Sequence, residues 1–391
     1  MEIALKQVLC GSQPDHIPAA PAYPSLFLAD FERNYYIEQY RLRMRGQKQY
    51  PIDHEEDTHI RAQAVYQSYG VFKSRPDWME IFRGASRDWA KRTRIVVQNG
   101  VMHYEDTTNG LRQLMHMIPV PRGDAHLAPI NKSTSDLWDI SDQVRDRDEV
   151  DELLPLIKAE ELLGRGDFDL PRRIVSDYGE LNFISTVLDT PFSDAYDLLG
   201  FQGLMLIQHD QPQLLHYILQ RKMNQTLQVM QAWAKTGIHG VYVEEVFTGA
   251  DMISPHSYDE FVFTYNQPTF RTMRSLGLLP IHYVCGDVIP RLERIVQYDI
   301  AAVAVEESKK NFKIEIEDVI EAVDGKTVVF GNIDAVRFGL HASPEEMRTE
   351  VRRQLEIGNR AAGFVVSTGS PFPLDTNPRQ IDVLIDAAHE E

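Results

Sequence analysis

From Val241 onward the chain repeats one pattern, and that pattern limits what it can fold into. Short apolar runs suited to strands alternate with longer amphipathic runs suited to helices. The strands read as Val241–Glu245, Leu279–Val284, Ala301–Glu306, Thr327–Gly331 and Gly363–Ser367. The helices read as Pro255–Ser275, Val288–Val296, Ile314–Ala322, Pro344–Glu356 and Pro378–His389. Ser254 stands where it would cap the first of them. Strands that alternate with helices pair in parallel through right-handed crossovers. Because the helices cannot all cover one face of a long open sheet, the expected architecture is a closed (β/α)8 barrel of the α/β class.

The first half is less regular. Residues 1–80 predict a mostly helical N-terminal region with one strand. Asp15-His16-Ile17-Pro18 leads into that strand at Ala19–Tyr23, and Phe31–Gly46 and Glu55–Tyr69 have helical spacing. Residues 92–118 predict an inserted antiparallel meander, with strands at Thr93–Gln98, Val101–Asp106 and Leu111–Met117. The Asn99-Gly100 and Asn109-Gly110 pairs between them supply the positive φ that tight hairpins need. A helix is expected near Asp148–Leu163, a strand at Arg173–Asp177, and helices at Pro191–Leu199 and Pro212–Gly237. No Pro/Gly/Ser-rich linker divides the chain, so residues 1–391 read as one barrel domain with an N-terminal extension. Neither a glycine-rich dinucleotide fingerprint nor a phosphate loop is present.

Composition removes several functions. A net charge of −18 argues against nucleic-acid binding, which needs basic surface to displace counterions, and against docking on anionic lipid. The two cysteines, Cys10 and Cys285, cannot build a disulfide framework, so a cytoplasmic setting is expected. No apolar stretch approaches the roughly 18–20 residues needed to span a bilayer. Association into a homo-oligomer is compatible with such a chain.

If the barrel closes, polar residues at its strand ends converge on one mouth. They are Glu244 and Glu245, His282 and Cys285, Glu306 and Glu307, Asn332 and Asp334, then Ser367, Thr368 and Ser370. Imidazole and thiolate are ligands that zinc accepts. Each residue also has a structural reading: Cys285 as a small core side chain, His282 as a hydrogen-bonder, Asp334 as a helix cap. Spacing adds a constraint. His282 and Cys285 are three apart, so on a regular strand they face opposite ways. One ion binds both only if the strand bulges or ends between them.

The run His282-Tyr283-Val284-Cys285-Gly286-Asp287 resembles the uroporphyrinogen decarboxylase superfamily, as do Gly331-Asn332-Ile333-Asp334 and the Ile253-Ser254-Pro255 to Glu260-Phe261 segment. Asp15-His16-Ile17-Pro18 fits the same pattern. The resemblance covers most of the chain, is strongest from about residue 195 onward, and implies a (β/α)8 barrel. That superfamily includes porphyrinogen decarboxylases and zinc methyltransferases that work with corrinoid proteins. The decarboxylases carry an N-terminal Met-Arg-Gln-Ala-Gly-Arg motif, where this chain has only Arg41, Arg43 and Arg45. The methyltransferases that make methyl-coenzyme M use a His-x-Cys pair and a later Cys. Here the spacing is His-x-x-Cys, and Ser370 lies near the place of the later Cys. The methyltransferases of ether-cleaving O-demethylase systems hold zinc with two glutamates and a histidine, to which Glu245, Glu260 and His282 are similar in order.

The resemblance therefore implies a zinc-dependent methyltransferase, with the ion held by His282, Glu245 and either Cys285 or Glu260. The ion would act as a Lewis acid on an ether, amine or thiol. Asn332, Asp334 and Glu306 would be the catalytic groups of the mouth, and Tyr283, Ser370 and Arg43 would contact substrate. The corrinoid would come from a partner protein, because no Asp-x-His-x-x-Gly motif is found in the chain. The alternative is a metal-independent decarboxylase, in which Arg41, Arg43 or Arg45 binds a carboxylate and Asp334 protonates the carbanion. A third reading is a barrel without activity that serves as a binding subunit.

Overall fold

The computed structural model describes residues 3–115, 144, 146–309 and 312–390. Its strands, in chain order, are β1 (Gln49–Pro51), β2 (Trp78–Glu80), β3 (Thr93–Gln98), β4 (Val101–Asp106), β5 (Arg112–Leu114), β6 (Phe183–Asp189), β7 (Gly240–Glu245), β8 (Leu279–Val284), β9 (Ala302–Val305), β10 (Val328–Phe330) and β11 (Phe364–Val365). A parallel sheet runs in the order β11-β10-β9-β8-β7-β6-β2. Residues 18–20 close it. On one side Ala20 donates its N–H to Val366 O (2.8 Å) and Val366 donates to Pro18 O (2.9 Å). On the other, Asp77 donates to Ala19 O (2.8 Å). The ring thus has no open edge, the condition that defines a barrel.

The first strand is shorter than Ala19–Tyr23 for a local reason. Pro18 and Pro21 lack the N–H that a ladder needs. Tyr23 has φ 47°, which turns the chain into the helix Pro24–Met44. Only Ala19 forms a bridge, to Val366.

Alternation along the strands makes two apolar layers. Trp78, Phe183, Tyr242, Ile281, Tyr283, Ala304 and Phe330 fill the barrel interior. Val241, Val243, Val284, Val303 and Val329 face the surrounding helices. The short helix Ala4–Leu9 supplies Leu5, Val8 and Leu9 to the interior cluster, at the end where the strands begin.

The antiparallel meander forms as the two Asn-Gly pairs predict, in the order β1-β3-β4-β5. The strand Gln49–Pro51 joins it. Of the expected Leu111–Met117 strand, Arg112–Leu114 forms, and residues 116–117 lie outside the described residues. Helices Pro24–Met44 and His54–Ser68 pack on this sheet through Tyr36, Tyr40, Ile60, Ile95 and Tyr104. Buried Arg61 pairs there with Asp57 (2.6 Å).

Three other expectations are corrected. Arg173–Asp177 is not a strand but part of the helix Asp169–Tyr178. Its buried residues Leu170 and Ile174 are four apart, and an Arg173–Asp177 ion pair (2.6 Å) spans one turn of its outer face. The strand of this unit is β6. The helix near Asp148–Leu163 is two helices, Arg147–Leu153 and Ala159–Arg165, with Pro155 between them. Val288–Val296 contracts to a 3-10 turn, Ile289–Arg291, and one α-helical turn, Leu292–Ile295. Among the described residues, no helix is long and apolar enough to cross a membrane.

Trp78 tests the interior packing. It is fully buried, edge-on to Tyr242 (5.2 Å between ring centroids), and donates Nε1–H to Pro21 O (3.0 Å). Trp78→Ala should lower the free energy of unfolding by about 3–5 kcal/mol, measured by urea denaturation. A loss under about 1 kcal/mol would contradict a filled barrel.

Candidate active site at the barrel mouth

The pleat decides which side chains reach the mouth. In β7, Tyr242 shares the interior face and Val241 and Val243 the helix face, so Glu244 turns inward and Glu245 outward. In β8, Ile281 and Tyr283 lie inside, so His282 lies outside. Cys285 continues the ladder by donating its N–H to Glu245 O (2.9 Å), and its side chain packs against the interior cluster. Gly286 follows with φ 94°, a left-handed turn suited to glycine. Its N–H donates to Glu306 Oε2 (2.8 Å), which fixes that carboxylate beside the turn.

The interior thus gathers Glu80, Ser185, Tyr242, Glu244, Tyr283, Cys285 and Glu306, with Tyr23 above them. Tyr242 and Tyr283 stack at 5.2 Å, and Tyr23 stands edge-on to both. Tyr283 donates its hydroxyl to Gly369 O (2.7 Å), which ties the last loop to the mouth. Glu80 Oε2 accepts from the Ser25 hydroxyl and from Ser25 N–H (3.2 Å). Its other oxygen, the Tyr242 hydroxyl and the Ser185 hydroxyl are buried without a hydrogen-bond partner. Buried polar atoms without partners are costly and mark places where a ligand completes the site.

These groups interact electrostatically. Burial, and then the charges of Glu306 and Glu244, push the Cys285 thiol up. Burial raises Glu244, and Glu306 adds to the effect. Burial pushes the Glu80 carboxyl up to about 7, against the pull of the Ser25 hydrogen bonds and with the repulsion of Glu244. Asp189 lies at the end of β6 and is exposed. Desolvation, then Asp194 and Glu244, push its carboxyl up to about 8. Among the described residues, Lys309 brings a cation to this rim. It meets Glu306 (3.0 Å), the Ser370 hydroxyl (2.6 Å) and Glu307 (3.3 Å). Ser370 in turn donates to the Glu307 carboxylate (2.8 Å).

Of the residues expected at this site, Cys285, Glu306, Tyr283 and Ser370 come together at the mouth, and the others lie elsewhere. Glu245 and His282 form a fully buried pair (3.1 Å) on the outer side of the wall. Asn266 and Thr248 also donate to Glu245, and the His282 ring lies between Phe270 and Tyr298. The barrel wall separates this pair from Cys285. Glu260 sits in a widened helical turn, Tyr258–Phe263, and binds His216 and His256 (both 3.2 Å). Asn332 donates to the carbonyls of Glu306 and Ile314, so it anchors the loop after β9. Asp334 accepts from the N–H groups of Val336 and Arg337 and caps the turn that follows. Arg43 pairs with Glu56 (2.8 Å) and Gln39 in the N-terminal region.

Glu80 and Tyr242 were not among the residues singled out from sequence. Counting back by twos from Cys285 and Glu244 reaches Tyr283 and Tyr242. No comparable signal marks Glu80, on a strand of three residues. Among the described residues, the only three ligand-type side chains with donor atoms all within 4.8 Å of one another are His16, Asp77 and His389, at the opposite end of the barrel.

Residues 140–391 match the family described as Uroporphyrinogen decarboxylase (URO-D). Over 195 residues the chain is 26% identical to the uroporphyrinogen decarboxylase of Aliivibrio salmonicida and 27% identical to that of Photobacterium profundum. Each match covers 49% of this chain and 52% of the relative, so the chain spans about half the length of the curated relatives it matches. A methyltransferase from Methanosarcina mazei has the same fold, with a TM-score of 0.65 over 100% of this chain and 99% of its own, at 14% identity. Because the family pattern runs through most of the chain, including the strand ends that carry Glu244, Cys285 and Glu306, the chain belongs to the uroporphyrinogen decarboxylase family.

Proposed function

We propose that the chain is a zinc-dependent methyltransferase that moves a methyl group between a small methylated ether, amine or thiol and a corrinoid carried by a partner protein. The observation that carries this reading is the acidic mouth built around one inward-facing thiol, Cys285, with Glu244 and Glu306 beside it. Thiolate and carboxylate are zinc donors, so the donor set fits the ion in kind. The three side chains would converge on it by rotation, since their donor atoms are not yet gathered as those of His16, Asp77 and His389 are. Zinc bound here would act as a Lewis acid toward a substrate heteroatom.

The protein's own groups have definable tasks. Glu306 is held by Gly286 N–H and Lys309, and its charge raises the Cys285 thiol. Neutralising that charge with a cation favours release of the thiol proton. Glu80, with its carboxyl near 7, carries a proton over much of the neutral range. When the methyl group leaves, the bonding pair stays on the heteroatom, and Glu80 is placed to give that atom its proton. Tyr242 and Tyr283 exclude water from the floor of the mouth.

The alternative, a decarboxylase, has support in the names of the relatives and in Glu80 as a proton donor to a carbanion. Against it stand the acidity of the mouth and the placement of Arg41 and Arg43, which pair with Glu38 and Glu56.

Three outcomes are expected. In zinc-reconstituted protein, Cys285→Ser and Glu306→Gln should each hold one zinc fewer than wild type by elemental analysis, while His282→Ala should hold as many. Retention by Cys285→Ser would sink the mouth ligand set. His282→Ala should instead lower stability by about 3 kcal/mol, because it strands a buried carboxylate. Third, the raised carboxyl of Glu80 contributes stability that is present below about 4.5 and lost as the pH rises through about 7. Glu80→Gln should remove that part of the pH dependence of melting. It should also abolish the alkaline limb of turnover near pH 7 and slow turnover about 10²-fold. An unchanged pH–rate profile would exclude Glu80 as the acid.

A further inference from the structure

We propose a second metal site, unconnected with the mouth, at the base of the barrel: a divalent transition-metal ion of zinc type held by His16, Asp77 and His389. His16 Nε2 lies 2.8 Å from one oxygen of the Asp77 carboxylate and His389 Nε2 lies 2.8 Å from the other. The two rings meet edge to face at 4.4 Å. The three donor atoms all lie within 4.8 Å of one another. Two imidazoles and one carboxylate form a donor set that zinc and its neighbours accept, with further positions open to water.

The backbone makes the site rigid. Asp77 precedes β2 and is fixed by exchange with Ala19: its N–H donates to Ala19 O (2.8 Å), and Ala19 N–H donates to its carboxylate (2.7 Å). His16 is two residues before Pro18, in the segment that closes the ring. His389 ends the helix Pro378–His389, where unsatisfied carbonyls give the negative end of the helix dipole. Burial works against the charge on Asp77, but the hydrogen bonds from His389, Ala19 N–H and His16 outweigh it and hold the carboxyl below its ordinary value. All three side chains remain partly open to solvent, at 35%, 12% and 29% exposure in the order His16, Asp77, His389, so an ion has a route in.

A bound ion would replace two N–H···O contacts by three ligand bonds. It would join residues 16 and 389 to the start of β2, and so clamp the segment before Pro18 and the helix Pro378–His389 to the ring seam. Any agent that binds only the folded state stabilises it in proportion to its saturation.

The test uses the full chain with zinc and with cobalt(II). Wild type should bind one equivalent that survives Cys285→Ser and is lost in both His16→Gln and His389→Gln. Glutamine still donates a hydrogen bond to Asp77, so these variants keep a purely structural clasp while removing imidazole ligation. In the Cys285→Ser background zinc should raise the melting temperature by at least about 2 °C, and adding His16→Gln or His389→Gln to that background should remove the rise. Cobalt(II) at the base should give visible ligand-field absorption without the near-ultraviolet thiolate band that Cys285 would add. Equal zinc binding and equal shifts in wild type and both glutamine variants would overturn the proposal. So would metal binding that vanishes wholly with Cys285→Ser. Loss of the mouth equivalent alone would leave the base site standing and bear only on the methyltransferase reading.

Discussion

Every side chain on a barrel strand lies on one side of the wall or the other, and sequence neighbours lie on opposite sides. This parity governs the site. It sends Glu244 to the interior and Glu245 to the helix layer, and it separates Tyr283 and Cys285 from His282. A carboxylate in the helix layer needs full compensation, and Glu245 receives it from His282, Asn266 and Thr248. The pair therefore secures the helix Thr264–Ser275 to the wall at Asn266. It is part of how β7 and β8 are held in place, and so of how Glu244 and Cys285 are aimed.

The interior side of the same strands has the opposite character. Glu80, Glu244, Glu306 and Cys285 line the same interior, where burial raises the proton affinity of Glu80, Glu244 and Cys285; Glu244 adds to the effect on Glu80, and Glu306 to that on Glu244 and Cys285. Such a cluster holds its charge down by keeping protons or by admitting a cation. Lys309 does part of this work, but its ammonium group is spread over Glu306, Glu307 and Ser370 at the rim. The floor, where Glu80 and Tyr242 have polar atoms without partners, is left to a proton or a ligand.

Much of the fold was legible in the sequence, because burial on both faces of a parallel strand leaves continuous apolar runs such as Ala302–Val305. The two Asn-Gly turns marked the meander for a similarly direct reason. The errors came where two periodicities overlap or where a single residue overrides a pattern. Arg173–Asp177 holds the β-branched pair Ile174-Val175, which suits a strand, yet Leu170 and Ile174 commit it to a helix. The prolines at 18 and 21 cut the first strand to a bridge. The spacing of His282 and Cys285 already set them on opposite faces of a regular strand, and although β8 ends at Val284, Cys285 keeps the alternation through its N–H bond to Glu245 O. The capping role of Asp334 was one of two readings open from sequence, and its carboxylate does accept two N–H groups. Glu80 was invisible, since three residues are too few to show a period.

The shortness of the first strand has a structural consequence of its own. With one bridge on the β11 side, the seam of the ring has fewer ladder bonds than the other strand pairs, and side chains make up the difference. Trp78 Nε1–H reaches Pro21 O, Ala22 N–H reaches the Thr368 hydroxyl, and Asp77 holds both Ala19 and the two histidines. The same stretch ends in Tyr23, whose left-handed backbone swings its ring over Tyr242 and Tyr283 at the mouth. Base and mouth are thus the two ends of one short segment, residues 16–23. Its position depends on the side chains that grip it as well as on backbone pairing.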